Sequence, residues 1–255
     1  MYKFQGQNFM DFIFRGKKLS DFGGFVGSAD GGIKEYSVLP KRNYTTDKAI
    51  GSDIETVYAS NLEPRMFNVP IVFEEITNGK LRTIAQWLDS PIPQKFQWLN
   101  DTVYINCNLD GSDFDAQTSS GLDAQIDLKF IAYDPFYYDI EEQSKTVTSV
   151  VSGQKYTYEN EGYGELCPYI TLSCSGNVKI EILDSEDNVY TESNISDVTG
   201  GVIIDSTTLE CTLLSGTPHF SHIDRFPKLP AGAFSIRITG TTISNLNLKY
   251  RQRYL

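Results

Sequence analysis

The stretch "LKFIAYDPFYYDIEE", Leu128–Glu142, decides how this chain of 255 residues is divided. Its first half alternates apolar and polar residues, as a β-strand with one buried face does. Asp134-Pro135 then ends the strand, because proline cannot donate to a sheet ladder. Three aromatic side chains follow, and side chains of that size are expected to be packed. We therefore predict a domain junction here, with an interdomain plug formed by Pro135, Phe136, Tyr137 and Tyr138.

Before the junction, the sequence predicts a β-sandwich with one helix. In "EPRMFNVPIVFEE", Glu63–Glu75, every second residue from Phe67 to Phe73 is apolar, so one face of the strand is core. Pro70 indicates an edge position or a bulge. From about Asn78 to Asp89 the apolar residues change to helical spacing, which predicts one amphipathic helix. Residues 122–133 alternate again and predict another strand.

Residues 36–60 predict a long hairpin, with two strands joined by the polar segment "KRNYTTDKAIGSD". These strands carry few large apolar side chains for their length. A hairpin that cannot bury itself on its own domain is expected to bury itself on a neighbouring subunit. The candidate interface residues are Tyr36, Lys41, Arg42, Tyr44, Ile54, Val57 and Tyr58.

After the junction, the chain predicts a second β-unit. The polar segment after Ile140 is interpreted as a linker strand. Beyond it, short apolar strands are separated by turn signals such as "DSEDN", Asp184–Asn188, which is typical of a β-sandwich. The predicted domains are residues 1–139 and 140–255, in a mainly β protein.

Composition excludes several classes of function. The chain has 22 basic and 33 acidic residues, a formal net charge of −11, which argues against nucleic-acid binding. No apolar stretch reaches the roughly 18 residues of a membrane span, and the N-terminus does not resemble a secretory signal. The 4 cysteines form no C-x-x-C motif. Buried free thiols are therefore the favoured interpretation, with an isolated disulfide as the alternative.

The sequence offers weak candidates for chemistry. His219 and His222, with Asp224 nearby, could begin a metal site, but no second cluster supplies the other ligands, so a surface loop pair is favoured. The acidic loop Asp110–Asp115 does not have the spacing of a calcium loop. The glycine-rich stretch Asp21–Gly32 lacks the Lys-Ser/Thr ending of a phosphate-binding loop. No G-x-S-x-G motif occurs, and no pair of carboxylates stands out. We therefore expect no enzyme activity, no metal and no cofactor.

Several segments, taken in order, resemble the distal tail (Dit) proteins of long-tailed, non-contractile bacteriophages. They are "EPRMFNVPIVFEEITNGKLRTIAQWL", "IAYDPFYY", the strands from "YITLSCSGNVKIEI" onward, and the closing "LNLKYRQRYL". The resemblance covers nearly the whole chain. Many relatives end on a tryptophan where this chain has Tyr254.

This resemblance implies a structural protein. Its N-terminal domain would form a hexameric ring through the projecting hairpin, and its C-terminal domain would be a galectin-like sandwich. The ring would join the tail tube to the tail-tip or baseplate proteins that adsorb to the host. The implied partners are further copies of the chain, the tube protein, the tail-associated hub and receptor-binding proteins. The implied location is the distal end of the virion tail, after assembly in the host cytoplasm. The alternative is a carbohydrate-binding module in host recognition.

Overall fold

The computed structural model describes residues 11–27, 39–48, 50–51, 53–74, 76–111, 116–119 and 123–255. Contacts divide the chain into two compact units, unit 1 (Met1–Tyr137, with Leu255) and unit 2 (Tyr138–Tyr254). The elements that begin in unit 1 are β1 (Phe12–Phe14), β2 (Lys17–Lys18), β3 (Gly24–Val26), β4 (Arg42–Asp47), β5 (Thr56–Leu62), β6 (Arg65–Phe73), α1 (Asn78–Leu88), β7 (Gln94–Trp98), β8 (Val103–Leu109), β9 (Ala116–Ser119), β10 (Asp123–Ala132) and β11 (Tyr137–Asp139). Those of unit 2 are β12 (Gln143–Thr148), β13 (Lys155–Asn160), β14 (Tyr169–Leu183), β15 (Val189–Val198), β16 (Val202–Asp205), β17 (Glu210–Leu213), β18 (Gly232–Tyr250) and β19 (Arg253–Tyr254).

The predicted helix is confirmed as α1. Its N-cap is Thr77, whose hydroxyl accepts a hydrogen bond from the Lys80 backbone N–H at 3.3 Å. Ile84, Trp87 and Leu88 form its buried side. With 11 residues α1 is short, and no helix in the described ranges has the length and hydropathy of a membrane span.

One curled antiparallel sheet encloses the core of unit 1. The strand order is β2-β1-β7-β8-β10-β6-β3, with β9 also paired to β10. Strand β8 turns the corner, because Ile105–Cys107 pair with β7 whereas Asn108 and Leu109 pair with β10. Residues from β1, β6, α1, β7, β8 and β10 consequently share one buried cluster. The apolar faces predicted for β6 and β10 both point into it.

Aromatic rings fill much of this core. Trp87 stacks on Phe12 with ring centroids 5.8 Å apart and on Phe22 at 4.5 Å. Its indole N–H donates to the Phe14 carbonyl oxygen at 2.8 Å, so the polar edge of the ring is satisfied. Phe96 and Phe130 lie 5.0 Å apart in the same cluster. The helix is thus fixed to β1 by both packing and a buried hydrogen bond.

Pro70 of β6 lies just beyond the residues of that strand that pair with β3. Strand β3 pairs with Ile71–Phe73 of β6 and ends at Val26. The Pro70 carbonyl oxygen accepts from the Gly27 N–H at 3.0 Å, on the β3 side. The N–H and C=O of one strand residue point to the same side, so the missing donor faces away from β10. The ladder between β6 and β10 therefore loses no hydrogen bond.

Unit 2 is a two-layer β-sandwich in which two long strands serve both layers. The first layer has the order β12-β18-β14-β16-β17 and uses the second part of β18. The second layer pairs β13 with the first part of β18 and β15 with the second part of β14. A register shift between Ser175 and Val178 bends β14 from one layer to the other. One apolar cluster lies between the layers.

The strands of unit 2 differ in part from the sequence interpretation. Residues 169–172 and 178–183 are parts of one strand, as are 234–239 and 243–250. The segment interpreted as a linker strand is a strand, β12, but it pairs with β18 within the sandwich. The hairpin turn at Asp184–Asn188 is confirmed, with Asp184 N–H donating to Asn188 at 2.9 Å. The galectin-like character of the unit stays a prediction.

Gly201, between β15 and β16, is a position where we expect any side chain to be destabilising. Its φ is +135°, and a Cβ would lie 2.6 Å from the Leu172 carbonyl oxygen. Its neighbour Gly200 has φ +75° and open space around it. We expect Gly201→Ala to lower the free energy of unfolding by about 3 kcal/mol. The matched Gly200→Ala should lower it by about 1 kcal/mol, for the left-handed backbone alone. Urea unfolding of both variants measures the difference, and equal losses would contradict this account.

All 4 cysteines are free thiols, as predicted, although only three are buried. Burial raises the pKa of the Cys174 and Cys211 thiols to about 11 and that of Cys107 further still. Cys167 is exposed, contrary to the expectation of burial. It follows Leu166, whose backbone pairs with Leu229, so its side chain points away from the core that Leu166 enters.

Candidate functional site

The candidate site is the hairpin of β4 and β5, which form a two-stranded sheet of their own. Arg42 pairs with Leu62 at the open end, and Asp47 pairs with Thr56 near the turn. A register shift after Thr45 makes Tyr58 an extra, bulged residue. Beyond the open end, the Glu63 N–H donates to the Lys41 carbonyl oxygen at 2.8 Å. The predicted projecting hairpin is therefore present, but its first strand lies within the polar segment that the sequence analysis assigned to the connection.

Both faces of this hairpin are in solvent. Every residue of β4 is exposed, as is every residue of β5 except the half-buried Leu62. Large apolar side chains are among them: Tyr44 is 55% exposed, Val57 56% and Tyr58 67%. Near the turn, Ile54 is 76% exposed and Ile50 fully so.

An isolated two-stranded hairpin is at best marginally stable in water. Contiguous exposed apolar surface usually marks a binding site for another protein. Strands β4 and β5 pair with each other, but no described part of unit 1 covers either face of the hairpin. The hairpin is therefore a candidate binding surface for another polypeptide.

The start of β6 anchors the base of the hairpin to unit 1. Arg65, the first residue of β6, is only 3% exposed. Its Nε donates to the Pro135 carbonyl oxygen at 3.3 Å, and its guanidinium lies 4.8 Å from the centre of the Tyr137 ring. A buried cation held by a carbonyl and an aromatic face fixes the direction in which the chain leaves the hairpin.

The structure describes six of the seven candidate interface residues, and Tyr36 lies outside the described residues. Lys41, Arg42, Tyr44, Ile54, Val57 and Tyr58 are all exposed on the hairpin. Leu39 and Ile50, at 63% and 108% exposure, belong to the same surface but were missed by the sequence analysis. Isolated apolar residues in a polar segment give no periodic signal, so only the structure identifies them.

The residues of the predicted plug are accounted for only in part. Pro135 is buried, and Tyr137 packs against the aromatic core of unit 1 as well as on Arg65. Phe136 and Tyr138 are half-buried. Their role between the two units stays a prediction.

The candidate chemical groups do not converge on a reactive centre. The His219 and His222 rings stack 4.2 Å apart, and His219 is buried rather than on a surface loop. His219 Nε2 lies 2.7 Å from the Ser196 carbonyl oxygen, so it must donate. Asp224 instead accepts from the Asn194 backbone at 2.7 Å. Within the described ranges, no three His, Cys, Asp or Glu side chains are grouped as metal ligands. Part of the Asp110–Asp115 loop lies outside those ranges.

Unit 2 carries a groove of about 730 Å³ beside the histidine pair. Its lining includes Asn177, Lys179, Asn194, His222 and Asp224, but neither tyrosine, tryptophan nor phenylalanine. Sugar-binding proteins commonly stack a ring of the sugar on such an aromatic face, and this groove does not provide one.

Residues 7–118 match the family model of the phage tail protein N-terminal domain. No curated protein matches the chain. Among solved structures, the crystal structure of the SPP1 Dit protein (gp 19.1), described as a paradigm of the hub adsorption apparatus in phages that infect Gram-positive bacteria, is similar over 96% of this chain and 99% of its own, with a TM-score of 0.75 and 14% identity.

Chains of the phage p2 baseplate are similar as well. In the activated conformation with Sr, the match covers 97% of this chain and 98% of the other, with a TM-score of 0.52 and 10% identity. The corresponding structure with Ca gives 95% and 98% coverage, with the same TM-score and identity. At these identities the likeness is one of fold. Residues 7–118 are therefore similar to a phage tail protein N-terminal domain, and the chain has the fold of the SPP1 Dit protein, in agreement with the resemblance noted in the sequence.

Proposed function

We propose that this protein is a structural component of a phage tail, which forms a homohexameric ring at the distal end. The ring joins the tail tube to the tail-tip or baseplate proteins of the host-adsorption apparatus. The observation that carries the proposal is the exposed apolar hairpin within a tail-protein domain. A head-to-tail contact through an extended arm is the kind of interface that closes into a ring.

The partners follow from this position. They are further copies of the chain, the tube protein, the tail-associated hub, and receptor-binding or baseplate proteins. The protein acts in the virion, after assembly in the host cytoplasm, and it catalyses no reaction. Whether one ring or two back-to-back rings form is an outcome of the same measurement.

Sedimentation velocity and negative-stain imaging of the purified protein test the proposal. We expect a species with six-fold symmetry and the mass of six or twelve chains of 28.7 kDa. A monomer at concentrations of about 100 µM, well above typical dissociation constants of stable oligomers, would overturn it.

A glycan array provides the test of the alternative. Binding of sugars by the pure protein, lost on substitution of His222 or Asp224 in this groove, would favour a carbohydrate-binding module. The lining contains no tyrosine, tryptophan or phenylalanine on which a sugar could stack, so we expect no such binding.

A further inference from the structure

The outer face of β6 and β10 carries a second exposed apolar surface. Met66 of β6 pairs directly with Ile131 of β10, and Tyr133 follows immediately after β10. Met66 is 56% exposed and Tyr133 68%, and Ile131 is half-buried. The neighbouring residues Phe67 and Phe130 point the other way, into the core. Met66, Ile131 and Tyr133 are here called the acceptor patch.

The acceptor patch and the hairpin account for nearly all the large apolar exposure in the described part of unit 1. Outside residues 39–58, the exposed large apolar side chains in the described part of unit 1 are Met66, Tyr133 and Ile92. Ile92 lies in the connection between α1 and β7, apart from the other two in the sheet. On a second copy of unit 1, the exposed apolar side chains that could cover the hairpin are therefore clustered at the acceptor patch.

Two opposite charges favour one alignment of the hairpin along the outer face of β6 and β10. Lys41, at the open end of the hairpin, is exposed and forms no ion pair with a described residue. Asp127, on the outer face of β10, is also exposed and unpaired among the described residues. The nearby cation Lys129 is already bound to Asp110 at 3.3 Å. An unpaired cation on the hairpin and an unpaired carboxylate on the face are complementary.

The spacing of these groups agrees. Val57 pairs with Thr46, which is five positions after Lys41, because Tyr58 is bulged. On the face, Ile131, which pairs with Met66, and Tyr133 are four and six positions after Asp127. Four to six residues of extended chain span about 13 to 20 Å. With Lys41 against Asp127, the exposed Val57 and Tyr58 reach the acceptor patch.

We propose that the hairpin of one copy lies along the outer face of β6 and β10 of the next copy, with Lys41 on Asp127 and with Val57 and Tyr58 on Met66 and Tyr133. This inference rests on the proposed ring and names the receiving surface. The two surfaces are different parts of one chain, so the contact is heterologous and every subunit both donates and accepts.

Charge reversal tests the alignment in the full-length protein. Lys41→Glu and Asp127→Lys are each expected to raise the concentration at which the ring dissociates about tenfold, because each places like charges together. The double variant restores the opposite charges, so its dissociation concentration should be within about threefold of the wild-type value. Sedimentation velocity over a dilution series measures all four proteins. A double variant no better than the product of the two single effects would overturn the alignment.

The apolar contacts with the acceptor patch are tested separately, with Ile92 as the control position. Met66→Ser with Tyr133→Ser should raise the dissociation concentration about a hundredfold, whereas Ile92→Ser should leave it unchanged. All three side chains are exposed in the single chain, so their loss should not alter unfolding by urea. If the acceptor variants assemble normally while hairpin variants do not, the receiving surface is wrong but the ring stands. A monomeric wild type would instead remove the proposed function itself.

Discussion

Replacing Tyr44, Val57 and Tyr58 together by serine is expected to leave a folded monomer that no longer forms rings. In the single chain these side chains are 55%, 56% and 67% exposed, so they contribute little to the stability of unit 1. In a ring each would be buried against a neighbour. Losing them should cost about 4 kcal/mol per interface, roughly a thousandfold in dissociation constant. Sedimentation velocity measures assembly, and tryptophan fluorescence in urea measures the fold, because Trp87 and Trp98 both lie in unit 1.

A matched control separates assembly from general loss of apolar surface. Leu209, Leu214 and Phe220 in unit 2 are 55%, 43% and 59% exposed. Their triple replacement by serine removes a similar amount of exposed apolar surface away from the hairpin. This control variant should form rings normally, and its thermal stability should be unchanged. Normal rings from the hairpin variant, or equal disruption by the control, would show that the hairpin does not carry the interface.

The sequence predicted unit 1 well because its elements carry strong periodic signals. In β6 and in residues 124–132 of β10 the side chains alternate between core and surface, and α1 changes cleanly to helical spacing. The hairpin was predicted from the opposite signal, a β-pattern with too little apolar surface to be buried. What the sequence could not give was the surface that receives it. The acceptor patch consists of single residues on the polar side of two strands, and only the register brings Met66 beside Ile131.

Unit 2 was harder for a physical reason. Strand β15 went unrecognised because Thr191 and Ser193 occupy two of its inward positions, where an apolar pattern would need Val or Ile. Strand β14 was divided because its bend, around Gly176, interrupts the alternation. Long strands that serve two layers contain such polar bends. A period-2 pattern therefore predicts their halves and not their continuity.

The second large effect is expected at Glu181, a carboxylate buried in β14 with only 4% of the residue exposed. Arg237 of β18 donates to it twice, from Nε at 2.7 Å and from a terminal nitrogen at 2.9 Å. Lys179 adds a third bond at 2.9 Å. The Arg237 hydrogen bonds, with the Lys179 bond and both positive charges, outweigh the effect of burial and lower the pKa of Glu181 to about 2. Strands β14 and β18 are thus joined by this ion pair as well as by their backbone hydrogen bonds.

This lowered pKa makes the stability of unit 2 depend on acid. A carboxyl group whose pKa falls from 4.5 in the unfolded chain to about 2 in the fold stabilises the fold above pH 4.5. The contribution, about 3 kcal/mol, is lost as the pH falls through the window from 4.5 to 2, because the folded state must then bind the proton too. Glu181→Gln should therefore lose about 3 kcal/mol at pH 7 and approach the wild type near pH 2.

Hydrogen exchange of peptides from β14, followed by mass spectrometry over a urea series, reports the stability of unit 2 without interference from the tryptophan-containing unit. The matched control is Glu142→Gln. Glu142 lies 3.8 Å from Lys249 but is 42% exposed, and an ion pair so exposed contributes little. We expect that variant to follow the wild type at every pH. If Glu181→Gln also kept a constant difference from the wild type between pH 7 and pH 2, the buried carboxylate would be stabilised by packing and not by its charge.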